Sequence, residues 1–241
     1  MHPKPLLIVQ TGRAIAAVRS RFGDFPHWFR VAMGLPSSAV VVVDVQSGAT
    51  LSAHDQYGGV LVTGSGAMVS DREPWSEATA AWIREVHSAG TPLLGVCYGH
   101  QLIAHAFGGR VDYHPDGREM GTHTIERLDA AHDDPLFGNA PSNFAAQLTH
   151  RQSVLEVPPQ AVVLARSAHD ACQAFRIGER TWGVQFHPEF STSAMCGYIA
   201  ARGADLQREG HCPRELGTRV RAAPHARALL RRFARIAYHP R

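Results

Sequence analysis

The stretch Thr91 to Gly109, TPLLGVCYGHQLIAHAFGG, constrains this chain more than any other, because it prescribes a strand, a sharp turn and a helix in immediate succession. Pro92 to Val96 is an apolar run of strand length, and Leu102, Ile103, Ala106 and Phe107 then recur on one helical face. Cys97 falls between them. A nucleophile at such a place sits on a tight strand-to-helix turn, with Gly95 and Gly99 at positions where a side chain would collide with that turn. The helix N-terminus beside the sulfur favours thiolate over thiol. A cysteine after an apolar strand is also an ordinary core residue, so the catalytic reading needs a base elsewhere.

The segment Trp182 to Glu189, WGVQFHPE, supplies one. A thiol nucleophile needs a base, and the base needs an orienting group. Thr181 to Phe186 reads as a buried strand with His187 at its end and Glu189 two residues on. Residues i and i+2 of an extended chain point to the same side, and Pro188 biases His187 away from helix. His187 and Glu189 can therefore align as base and orienter.

GVCYGHQ together with QFHPE resembles the class I, triad-type glutamine amidotransferases, whose glutaminase domains carry a Cys in a G-x-C-x-G-x-Q elbow and a His-x-Glu downstream. The resemblance covers roughly residues 5–199 and is closest to the glutaminase domain of GMP synthase and its free-standing relatives. It implies a flavodoxin-like α/β fold, a mostly parallel central sheet with helices on both faces. It also implies an amidotransferase domain over residues 1–200; the apolar stripe of Ala226, Leu229, Leu230, Phe233 and Ile236 makes 201–241 a helical extension packed on it. The implied catalytic residues are Cys97, His187 and Glu189, acting on glutamine or another γ-glutamyl small molecule without metal or cofactor.

Acyl transfer through a tetrahedral intermediate also requires an oxyanion stabiliser. Thr63-Gly64-Ser65-Gly66 follows a strand where the family has a Gly-rich turn, and the amides of Gly64 and Tyr98 are the expected donors. Ser65 and Gly66 depart from the commoner Gly-Gly-Pro pattern. Gln101 matches the elbow glutamine and is expected to bond the substrate amide or a neighbouring loop. Thr149 to Ser153, THRQS, resembles the Ser-His-x-Asp loop that holds the amino-acid end of glutamine, which makes His150, Arg151 and Gln152 candidate substrate-binding residues. Gln152 stands where that loop has an acid, and a neutral amide pairs less strongly with an ammonium. Gly117 to Gly121 resembles a family segment next to the active site, although Arg118 and Glu119 can equally be read as a surface pair.

Along the chain, strand and helix alternate, which argues for a largely parallel sheet. Leu6–Gln10, Ala39–Val45 and Gly59–Val62 read as strands, the second apolar but for Asp44. Thr11 to Gly34 is mixed, with Pro26 opening a short helix. Trp75, Ala78, Trp82, Ile83 and Val86 mark an amphipathic helix ending near Gly90. After the elbow come short strands at 110–113, 122–128, 144–148, 161–167, 171–177 and 181–186, a mixed sheet that completes a single domain. Residues 193–209 and 224–238 read as helices.

Composition narrows the setting. No apolar run approaches 18 residues and Met1 to Pro5 is too polar for a secretory leader, so a soluble, cytoplasmic enzyme is expected. The four cysteines, at 97, 172, 196 and 212, show no CxxC spacing and read as reduced thiols. Fifteen histidines invite a metal site, but HExxH and paired cysteine ligands are missing, and the H-x-E at 187–189 lacks the P-C-x-x-C partner of zinc deaminases. The net charge of +3 is uneven, because residues 202–241 hold ten Arg against three acids. Such a tail can dock an acidic partner or RNA but reads more simply as a solvated face, so nucleic acid is an unlikely partner. No P-loop is present. A synthetase reaction would therefore need a separate subunit to receive the ammonia. The alternatives are a free-standing γ-glutamyl hydrolase and a non-catalytic regulatory protein.

Overall fold

A computed structural model describes residues 4–238. In chain order the elements are β1 (Leu6–Gln10), α1 (Ala16–Phe22), α2 (Phe25–Met33), β2 (Val40–Asp44), β3 (Gly59–Val62), α3 (Pro74–Ser88), β4 (Leu93–Val96), α4 (Tyr98–Ala106), β5 (Arg110–Tyr113), β6 (Glu119–Arg127), β7 (Asn143–His150), β8 (Gln152–Glu156), β9 (Ala161–Arg166), β10 (Ala174–Ile177), β11 (Thr181–Val184), α5 (Thr192–Ala201), α6 (Gly203–Arg208), α7 (Pro213–Thr218) and α8 (Pro224–Tyr238). Nine strands form one sheet in the order β2-β1-β3-β4-β11-β10-β9-β6-β7, and β5 and β8 pair separately. From β2 to β11 all neighbours run parallel; from β11 to β7 they alternate antiparallel.

This order brings together residues that are far apart in sequence. β4 lies between β3 and β11, with Gly95 opposite both Val62 and Gly183. The chain leaving β4 therefore passes the ends of both neighbours, the usual ligand side of a parallel α/β sheet. The amide of Cys97 donates to the Val184 carbonyl at 2.8 Å, so His187 emerges beside the elbow. The β6–β7 hairpin returns to the same place, and the His187 amide donates to the Gln147 carbonyl at 2.8 Å.

Two apolar clusters lie on the two faces of the sheet. Leu7, Val9, Val60 and Val62 point to one with α3 and α4, while Leu6, Ile8 and Leu61 point to the other with α2, α5 and α8, as strand alternation requires. Helix α8 inserts Leu229, Leu230 and Phe233, all fully buried, and each such side chain stabilises by ~1.5–3 kcal/mol.

Four local expectations change. Residues 16–22, within the mixed segment, form α1. The apolar strand β2 lies at the sheet edge with Val41 and Val42 exposed, since it has a neighbour on only one side. The helix expected over 193–209 breaks at Arg202 into α5 and α6. The loop at 149–153 is a tight turn at Arg151 between β7 and β8.

Candidate active site

The elbow is strained. Cys97 has φ 52° and ψ −102°, and with Arg72 it is one of two non-glycine residues at positive φ among the described residues. Residues in such sparsely populated conformations persist where the surroundings fix them. Here the glycines allow close backbone approach: a Cβ on Gly95 would come within 2.3 Å of the Gly99 carbonyl oxygen, and one on Gly99 within 2.4 Å of the Val62 carbonyl oxygen.

His187 and Glu189 meet the cysteine as the sequence indicates. His187 Nδ1 and Glu189 Oε1 are 2.8 Å apart, with both side chains buried. His187 Nε2 has no well-aligned hydrogen-bond partner; the group it interacts with is the Cys97 thiol. The ring lies 4.3 Å from that of Phe190 and 6.3 Å from that of Phe25, centroid to centroid. These aromatics fix its plane and exclude water. Burial opposes charge on the imidazole, but the Glu189 and Cys97 charges prevail and raise it to about 10. Burial raises the Cys97 thiol in turn, and the charge and hydrogen bond of His187, with the charge of His150, pull it below its ordinary value. Thiolate and imidazolium stabilise each other.

Gly64 stands against this pair, because a Cβ there would lie 3.0 Å from His187 Cε1 and 3.7 Å from Cys97 Cβ. Its carbonyl is held away by the hydroxyls of Thr63 at 3.0 Å and Thr11 at 3.3 Å. Tyr98 is the first residue of α4, where amides lack intrahelical acceptors. Its phenol bonds Ser76 at 2.6 Å beneath the site.

The candidate substrate residues divide. Gln101 Nε2 donates to the Gln152 carbonyl at 2.6 Å and to Gln185 Oε1 at 2.9 Å, so it braces the loop. The Gln152 side chain is also engaged: its Oε1 accepts from the Val69 amide at 3.1 Å and its Nε2 donates to Ser70 Oγ at 2.6 Å. Arg151 lines the pocket around Cys97.

His150 belongs to a second pair that the sequence does not reveal. Glu119 and His150 are direct partners across β6 and β7, with His150 Nε2 at 3.1 Å from Glu119 Oε2. Its Nδ1 faces the Gln152 carbonyl at 3.0 Å. Ser153 Oγ lies 3.4 Å from the same Nδ1; with a carboxylate at one nitrogen and a carbonyl at the other, the surroundings favour the imidazolium. Glu119 also accepts from Ser167 at 2.8 Å and Gln173 at 2.7 Å. Burial opposes the charge on each member of this pair, yet their mutual bond lowers Glu119 and raises His150. Arg118 and Glu119 are thus no surface pair: both are buried, and Arg118 grips Glu209 through two bonds of 2.7 and 2.9 Å.

The family model "Glutamine amidotransferase class-I" matches residues 33–203, and the chain belongs to that family. It is 42% identical over 99 residues to a glutamine-hydrolyzing GMP synthase subunit of Methanopyrus kandleri, covering 41% of this chain and 51% of the relative. It is 30% identical over 162 residues to the gamma-glutamyl-L-1-hydroxyisopropylamide hydrolase of a Pseudomonas species, covering 64% and 54%. The chain thus spans about half the length of these curated relatives. The crystal structure of a Thermotoga maritima glutamine amidotransferase shares the fold, with a TM-score of 0.77 at 21% identity over 99% of this chain and 100% of that one. Among the described residues no helix is long and apolar enough to cross a membrane.

Proposed function

We propose that this chain hydrolyses the side-chain amide of glutamine through a γ-glutamyl thioester on Cys97. The Cys97 thiolate adds to the amide carbon, and the oxyanion is met by the amides of Gly64 and Tyr98. Collapse breaks the C–N bond as His187 Nε2 gives its proton to the departing ammonia. The neutral imidazole then takes a proton from water, hydroxide attacks the thioester, and glutamate leaves with the thiolate restored. Glu189 keeps Nδ1 protonated throughout.

The observation that carries this reading is the strained Cys97 facing a His187 whose other nitrogen is held by Glu189. Similarity to a glutamine-hydrolyzing subunit of GMP synthase supports delivery of the ammonia to a separate synthetase chain. Ammonia release from glutamine by the purified chain, with Cys97→Ala as control, tests the reaction. Equal release by both proteins would refute it.

A second reading, a free-standing hydrolase of γ-glutamyl amides, is favoured by Gln152. Where the related loop has an acid, this side chain is neutral and bound to Val69 and Ser70. Glutamate release, measured on glutamine and on N-substituted γ-glutamyl amides, decides: amide substrates cleaved faster than glutamine would favour it.

A further inference from the structure

The pocket at Cys97 is only about 80 Å³, small beside the ~300–1,000 Å³ of ordinary ligand pockets. It adjoins a cavity of about 290 Å³ that shares Arg118, Arg151 and Arg202 with it and adds Asp205, Arg208 and Glu209. This vestibule, lined by four guanidinium groups and two carboxylates, is the space open to the part of a substrate that outgrows the pocket at Cys97.

The two acids are already taken. Glu209 is bound bidentately by Arg118, and Asp205 pairs with Arg208. Among the described residues, Arg202 reaches a carboxylate only at the far oxygen of Asp205, at 4.0 Å, and its buried Nε has no partner. Burial and the charges of Arg118 and Arg151 hold its guanidinium below the usual arginine value. Arg151 rests over the Tyr113 ring at 5.5 Å from its centroid. Crowded cations with an unmatched donor are relieved by an incoming anion, and guanidinium suits a planar carboxylate.

We infer that Arg151 and Arg202 form a carboxylate subsite that holds the part of the substrate remote from the cleaved amide. The assignment rests on the γ-glutamyl reading of Cys97. The carboxylate comes either from the α-carbon of the glutamyl group or from an amino acid forming the departing amine. Three compounds separate the sources: glutamine, L-glutaminamide, which lacks the α-carboxylate, and γ-glutamylglycine, which adds one on the amine.

Arg202→Gln and Arg151→Gln should each lower kcat/KM about 10-fold to 100-fold through KM, with Arg202→Lys recovering part of the loss. A loss on glutamine and γ-glutamylglycine that vanishes with L-glutaminamide assigns the α-carboxylate; a loss confined to γ-glutamylglycine assigns the amine. Equal losses on all three compounds, or none, overturn the subsite. Calorimetric binding of γ-glutamylglycine to Cys97→Ala, with and without Arg202→Gln, reads the subsite without turnover. Wild-type inactivity toward all three compounds would overturn the hydrolytic reading, and unchanged binding in the double variant would overturn the subsite.

Discussion

Among the described residues two histidine–carboxylate pairs are buried on both sides, and they have different capacities. In His187–Glu189 one ring nitrogen is held at 2.8 Å and the other is left to the thiol. In His150–Glu119 both nitrogens are saturated, one by the carboxylate and one by the Gln152 carbonyl. The first can release and regain a proton at Nε2. The second, locked in a strand pair with no nitrogen free, sits where positive charge lowers the Cys97 thiol, and it holds the turn at Arg151. The same two residue types can therefore serve as an acid–base group or as electrostatic support according to whether a ring nitrogen is free.

Substitutions can break this contrast. The largest effect is expected for His187→Ala, which should cost on the order of 10⁴-fold to 10⁶-fold in kcat, as loss of a triad base does elsewhere. Glu189→Gln should be about 10²-fold milder in steady-state turnover, because the imidazole remains in place. His150→Gln should cost about 10-fold, with a distinctive signature: the pH dependence of Cys97 alkylation by iodoacetamide shifts upward, because the positive charge that lowers the thiol is removed. Cys196 and Cys212 are exposed, so this belongs in a Cys196→Ser/Cys212→Ser background. Burial pushes the Cys172 thiol far up, and it should stay silent.

The smallest expected effect is on stability. The His187 value in the fold, about 10, lies above its ordinary 6.5, so its protonated form is favoured by folding. That contribution is complete below pH 6.5, declines above it and is lost through pH 10. The Tm difference between wild type and His187→Gln should narrow across that window. A constant difference would show that the buried ring is not charged.

The elbow and the His-x-Glu were legible in the sequence because each is local: a strand, a turn and a few residues define them. The alternation of strands and helices likewise gave the parallel half of the sheet. The Glu119–His150 pair was not legible, since 31 positions separate its members and only the β6–β7 register makes them opposite. Glu119 beside Arg118 looks like a surface ion pair until Glu209, brought in by α6, takes the arginine. Arg202 was hidden for a related reason. Residues 193–209 have largely helical composition, and Gly203, which follows Arg202 and opens α6, is the one local sign of the break that leaves Arg202 between α5 and α6. An apolar pattern also could not tell that β2 lies at an edge, because position in a sheet is set by partners outside the strand.

The most direct test of the central claim is peptide mapping of wild-type protein acid-quenched during turnover of glutamine. The account predicts a γ-glutamyl adduct on the peptide containing Cys97, accumulating before steady state and absent from Cys97→Ala. An adduct on another residue, or undiminished turnover by Cys97→Ala, would contradict it.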